Sequence, residues 1–123
     1  MSLNKLAEKI HENAVKKGFY DEKKTIPALL MEVIDEVSEA NRAHRKGFTG
    51  DKKFYTECLK NTNKDFDNNG FEMSIKNTLA DELGDAIQIL LSICSHYKID
   101  IDWHIDQKMK YNATRPYKHG NVN

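Results

Sequence analysis

Four carboxylates at matched spacing are the side chains of this sequence best placed to do chemistry. Glu36 and Glu39 lie in one apolar stretch, Glu82 and Asp85 in another. Residues three apart project from the same side of an α-helix, so each pair presents its two acids together. Leu29, Leu30, Val33, Ile34 and Val37 surround the first pair, and Leu79, Leu83, Ile87, Leu90 and Leu91 the second. Carboxylates facing one another across packed helices repel unless a cation lies between them. An all-oxygen donor set suits a hard ion. Mg2+ keeps several waters and joins protein carboxylates to substrate phosphates, and Mn2+ can replace it. Zn2+ is disfavoured at this position because no His or Cys accompanies the acids. A di-iron bundle asks for two Glu-x-x-His motifs, and the chain offers Glu8-x-x-His11, away from both acidic pairs.

The ordinary fate of a helical Glu is a solvated face. Three features weigh against it here. An exposed Glu commonly has a Lys or Arg four residues later, whereas Glu36, Glu39, Glu82 and Asp85 are followed by Ala40, Ala43, Ala86 and Ile89; the nearest base is Arg42, three after Glu39. Glu32 with Glu36, and Asp81 with Asp85, are like-charge pairs at i,i+4, which weaken a helix. Gly84 interrupts an otherwise strong helix at about 1 kcal/mol relative to Ala. It makes sense where another backbone or a ligand approaches closely. Glu32 is then a candidate extra ligand or supporting group.

A second constellation lies near the C-terminus, where Lys108, Asn112 and Arg115 recur at i, i+4 and i+7. Bases at a helix C-terminus complement its dipole whatever the function. The functional alternative is a grip on phosphate oxygens, forked from Arg and point-like from Lys. Carboxylates holding a metal and a basic arm for phosphates are complementary halves of a polyphosphate site.

The elements that must position these groups read as helices. Leu3, Leu6, Ala7, Ile10 and Ala14 repeat at three- and four-residue steps up to Gly18, a suitable C-terminal stop. Thr25 is a candidate N-cap with Pro27 in the first turn, and Gly47 can end that helix after Lys46. Phe54, Tyr55, Cys58 and Leu59 suggest a short amphipathic helix, followed by a solvated loop from Lys60 to Gly70. From Met73 to Tyr97 the apolar face is broad enough to predict a central buried helix. A last helix follows Asp100, with Ile101, Ile105 and Met109 as its inward stripe and Pro116 as its limit. The expected architecture is all-α, a four-helix-type bundle with a short extra helix or insertion, in one domain spanning residues 1–123.

A chain of 123 residues with zero net charge has no whole-surface affinity for nucleic acid or anionic membrane. Cys58 and Cys94 stand alone and read as reduced thiols of a cytoplasmic protein. No run of residues is apolar for long enough to span a membrane.

The stretches Glu36-Val37-Ser38-Glu39-Ala40 and Asp81-Glu82-Leu83-Gly84-Asp85 resemble the E-x-x-E and E-x-x-D motifs of MazG-like nucleoside triphosphate pyrophosphohydrolases, a family of the all-α nucleotide pyrophosphatases that include dimeric dUTPases and dCTP pyrophosphatases. Ile99 through Arg115 resembles the closing segment of the dCTP-pyrophosphatase-like members, and Lys17-Gly18-Phe19-Tyr20 the aromatic turn before their first acidic helix. The resemblance runs from about His11 to Tyr117 with a gap, since 42 residues separate Glu39 from Glu82 and residues 47–70 read as an insertion. It implies Mg2+ held by Glu36, Glu39, Glu82 and Asp85; a carboxylate not fully committed to the metal, Glu36 or Glu39, is the candidate to take a proton from the attacking water. It further implies hydrolysis of an NTP or dNTP to monophosphate and pyrophosphate, and a homodimer or dimer of dimers. By position it puts His11 and Tyr20 near the nucleobase and Lys108, Asn112 and Arg115 in the basic-polar segment. Without the resemblance, His11 reads as a surface histidine, Tyr20 as a hydrophobic staple and Trp103 as a core or interface anchor. A nucleotide-sensing module with the same acidic site is the alternative expectation.

Overall fold

Side-chain caps set where most helices of this chain begin. The computed structural model describes residues 2–120, which form six α-helices and a final 3-10 turn, with no strand among them. Helix α1 (Leu3–Lys16) starts at Ser2, whose hydroxyl accepts from Lys5 N at 3.2 Å. Helix α2 (Ile26–Arg45) starts at Thr25, whose hydroxyl accepts from Ala28 N. Asp51, Asp67 and Asp100 cap α3 (Lys52–Thr62), α4 (Asn68–Ser74) and α6 (Ile101–Thr114) in the same way. Each cap satisfies one backbone N–H that the helix cannot reach internally. Helix α5 (Leu79–His96) follows Thr78, whose hydroxyl accepts from Asp81 N at 3.4 Å. None of these helices is long and apolar enough to cross a membrane.

The chain divides into two compact units, with the boundary inside α5. Residues 23–90 hold α2, α3, α4 and most of α5. In this unit α3 packs on α4 through Tyr55, Phe66 and Phe71, and Asp67 N donates to the Tyr55 hydroxyl at 3.0 Å. The α3–α4 excursion is closed at its base by two backbone bonds, Leu79 N to Phe48 O at 2.6 Å and Asp51 N to Ser74 O at 2.9 Å. Leu29, Val33, Ala40, Ala43 and Ala86 are the buried apolar side chains here.

Residues 1–22 and 91–123 form the other unit, with α1 against α6. Their N-termini are interlocked. Asp102 accepts from Leu3 N and Asn4 N at 2.9 and 3.2 Å, while Asn4 donates its amide to Asp100 at 2.8 Å and accepts from Ile101 N. These bonds satisfy orphan amides of both helices with side chains of the opposite one. Together, Asn4 and the Trp103 N–H hold the Asp100 carboxyl below its ordinary range.

Several expectations need correction. The stretch Lys60–Gly70 is not a continuous loop: α3 runs through Thr62 and α4 begins at Asn68, with Gly70 buried. A Cβ on Gly70 would meet Asp67 Oδ2 at 2.7 Å and Cys58 Cβ at 3.2 Å, so this glycine is a packing requirement. The acidic helix starts at Leu79 rather than Met73, because Asn77 adopts a left-handed conformation (φ 63°) that separates α4 from α5. Nor is α5 buried all round. Leu83, Ile87 and Leu90 are 44–56 % exposed, and Leu30, Ile34 and Val37 of α2 are comparably open. On α6, Ile105, Met109 and Trp103 are exposed, so the expected inward stripe is not covered within the chain and Trp103 is no core anchor.

Candidate metal centre

The acidic residues come together inside the 23–90 unit. Carboxylate oxygens of Glu36 on α2 and of Glu82 and Asp85 on α5 all lie within 4.8 Å of one another. They border an open cavity of about 530 Å³, whose other lining residues are Asp35, Ser38, Glu39, Arg42 and Asn77. Five of the eight lining side chains are acids and one is a base, so an anion meets net repulsion there and a cation attraction.

Glu82 is the anchor of the group. It is only 7 % exposed, and its carboxyl is hydrogen-bonded to another acid, Glu36. Burial, then the hydrogen bond with Glu36 and the charges of Glu36, Asp81 and Glu39, push it up to about 7. Asp85 is also raised, by burial first and then by the charges of Asp81 and Glu82. Groups held together against their own repulsion and partly desolvated in a cleft are functional-site candidates. The donor set is oxygen throughout, and its spacing suits a hard divalent cation with carboxylate and water ligands. Glu36, Glu82 and Asp85 are the residues whose carboxylates could hold such an ion.

Glu39 departs from the expected foursome. Its carboxylate lines the same cavity but accepts from Arg42 Nη1 at 2.7 Å, and it is not among the three converging acids. The i,i+3 spacing that places Glu39 beside Glu36 also places Arg42 beside Glu39. Glu32 pairs with Lys24 at 2.8 Å and does not line the cavity. The space beside Gly84 is open, with no atom within 4 Å of an added Cβ, so close packing within this chain does not account for that glycine. Sequence reasoning missed Asp35 and Asn77. Asp35 sits one residue before a motif acid, and Asn77 reaches the cavity only through the left-handed turn before α5.

The other candidate residues lie in the unit formed by residues 1–22 and 91–123. His11 Nδ1 is 3.1 Å from the Ser92 hydroxyl, and the Tyr20 hydroxyl is 2.9 Å from the same oxygen. His96 completes the group: its Nδ1 lies 3.4 Å from His11 Nε2, and its ring stacks on Tyr20 at 4.6 Å. Burial, then the charge of His96, lowers the His11 pKa from 6.5. Thus His11 and Tyr20 do meet, through Ser92 and His96, neither of which the sequence singled out. On α6, Lys108 and Arg115 both lie over the Tyr111 ring, at 5.1 and 5.6 Å from its centroid, and Asn112 is exposed. They share a helix end, as their spacing requires.

No protein-family model, curated protein or solved structure matches this chain. The functional reading therefore rests on the residues themselves.

Proposed function

We propose that this protein is a metal-dependent hydrolase that cleaves a nucleoside triphosphate, NTP or dNTP, to the monophosphate and pyrophosphate. One observation carries the reading: Glu36, Glu82 and Asp85 converge to within 4.8 Å at the edge of a cavity, with the buried Glu82 set against the acids Glu36, Asp81 and Glu39. The choice of reaction comes from the resemblance of the two acidic motifs to those of MazG-like pyrophosphohydrolases. Glu36, Glu82 and Asp85 would hold Mg2+, or Mn2+ in its place, and Glu39 would join them once released from Arg42. A bound Mg2+ would neutralise charge on the phosphate oxygens and orient the chain for in-line displacement.

In this reaction the oxygen of a water bonds to the α-phosphorus and the bridging α–β oxygen leaves with pyrophosphate. Glu36 or Glu39 would take the water's proton, since a carboxylate within reach of that oxygen is the group a base requires. Arg42, the one base of the cavity lining, can turn from Glu39 towards an incoming phosphate. His11 and Tyr20 would stand near the base, and Lys108, Asn112 and Arg115 would supply the basic-polar arm.

The assembly belongs to the same proposal. The helices would form a four-helix-type bundle completed by a second copy of the chain, as a homodimer or dimer of dimers. Support comes from the exposed stripes Leu30–Ile34–Val37 and Leu83–Ile87–Leu90, each spaced i, i+4, i+7 on its helix. Cys58 and Cys94 are unbridged, which suits a reducing, cytoplasmic setting.

The Glu39–Arg42 pair favours a second reading, a nucleotide-sensing module, because it neutralises one of the two candidate proton acceptors. Pyrophosphate and orthophosphate release from a panel of NTPs and dNTPs, in Mg2+ and in EDTA, separates the two. Metal-dependent pyrophosphate release lost in Glu82→Gln supports the enzyme. Nucleotide binding without turnover supports the sensor, and orthophosphate alone moves the attack to a terminal phosphate.

A further inference from the structure

The His11–His96 contact is long for a hydrogen bond. Protein N–H donors mostly sit about 2.7–3.2 Å from their acceptors, whereas the two imidazole nitrogens are 3.4 Å apart. That separation has another meaning. Two nitrogens bound to one tetrahedral Zn2+ at 2.0–2.1 Å lie about 3.3–3.4 Å from each other. Adjusting the Cα–Cβ and Cβ–Cγ torsions of both side chains together would bring their lone pairs to a common apex, the arrangement a tetrahedral ion requires.

The surroundings match what such a ligand pair needs. A metal-bound histidine almost always donates its other ring N–H to a fixed acceptor, which sets its tautomer. His11 has that acceptor: Nδ1 faces the Ser92 hydroxyl at 3.1 Å, and Ser92 is 4 % exposed and also bonded to the Tyr20 hydroxyl. In the tautomer that donates Nδ1–H to Ser92, His11 Nε2 is the unprotonated nitrogen, directed at His96. Tyr20 braces both rings, edge-on to His11 at 4.6 Å and stacked on His96 at 4.6 Å. His96 is exposed, which leaves its Nε2–H to water and the remaining coordination positions to water or an exogenous ligand.

We infer that His11 Nε2 and His96 Nδ1 form a bidentate site for a borderline divalent transition-metal ion, with Zn2+ as its type. Imidazole nitrogens select such ions over Mg2+, which favours oxygen. The site is chemically separate from the carboxylate cluster and does not depend on the reaction proposed for that cluster.

Calorimetric titration of the full chain with Zn2+, in a large excess of Mg2+ to occupy the carboxylates, tests the inference. Co2+ absorption in the visible serves as a second readout of nitrogen ligation. The expected result is one equivalent of Zn2+ per chain, weakened at least tenfold in His96→Gln and in His11→Gln. Ser92→Ala should weaken it by about tenfold through loss of the supporting hydrogen bond, while Glu82→Gln leaves it unchanged. If His11→Gln does not fold, the exposed His96 position decides alone. Absence of binding in the unaltered chain, binding undiminished in His96→Gln, or binding abolished in Glu82→Gln would each overturn the assignment.

Discussion

Replacing Glu82 by Gln should make the metal-free protein more stable at neutral pH and erase much of its pH dependence. The Glu82 carboxyl is raised from 4.5 to about 7, chiefly by burial and then by Glu36. The folded chain therefore keeps a proton that the unfolded chain has released. Stability must fall as pH climbs from about 4.5 towards 7, and be fully retained below that window. At about 1.4 kcal/mol per pH unit, a rise of that size amounts to roughly 3 kcal/mol lost by pH 7. In a domain of this length that is on the order of 10 °C in Tm. Gln keeps the shape and hydrogen-bonding capacity but has no charge to desolvate. Urea unfolding in EDTA between pH 4.5 and 8 should show the decline in the unaltered protein and a much flatter profile in Glu82→Gln. Saturating Mg2+ should restore stability to the unaltered chain at pH 7 and do little for the variant, since a cation binds the ionised cluster. An equally steep pH profile in both proteins, or an equal response of both to Mg2+, would refute the electrostatic account of this site.

Four further outcomes follow from particular contacts. Arg42→Gln should leave Mg2+ affinity equal or higher, by freeing Glu39 from its 2.7 Å partner, while weakening Mg2+-dependent pyrophosphate binding about tenfold; parallel titrations with Mg2+ and pyrophosphate measure both. Gly84→Ala should stabilise the isolated chain by about 0.5–1 kcal/mol in urea melts, because nothing lies within 4 Å of the new Cβ and helix propensity alone acts. Gly70→Ala should cost about 1–3 kcal/mol in the same assay, since its Cβ would displace the Asp67 carboxylate that caps α4 and press on Cys58. On the proposed assembly, Ile87→Lys, at a 56 % exposed position, should leave helical content intact by circular dichroism and shift sedimentation from the proposed dimer to a single chain.

Local chemistry was legible in the sequence wherever a helix end is decided by neighbours. Thr25 and Pro27 start α2, Gly47 follows its end with φ 77°, and Asp100 opens α6 as expected. The start of α5 was not legible. No Pro or Gly stands between Met73 and Leu79, and the break depends on Asn77 taking a left-handed conformation stabilised by Asp81, which accepts from Asn77 N at 2.9 Å. The three converging acids were legible because helix spacing fixes their faces. The capture of Glu39 by Arg42 was not, because both arrangements satisfy the same i,i+3 geometry. His11, Ser92 and His96 meet across more than eighty residues of sequence, a juxtaposition that no local spacing encodes.

The paired backbone bonds beneath α3 and α4 bring the chain back to where it left. Phe48 and Leu79 are already joined there, so the α3–α4 segment behaves like a parenthesis in a sentence that reads on without it. Doubling the length of such a loop adds only about 0.6 kcal/mol of closure entropy. Residues 52–73, inside the inner bond between Asp51 and Ser74, can thus be lengthened, trimmed or exchanged with little strain passed to Glu36, Glu82 and Asp85, whereas Asn77 and Thr78 hold the start of α5. The same scaffold can then carry different appendages over one set of acids, and the junction at Asp51 and Ser74 is the place to graft them.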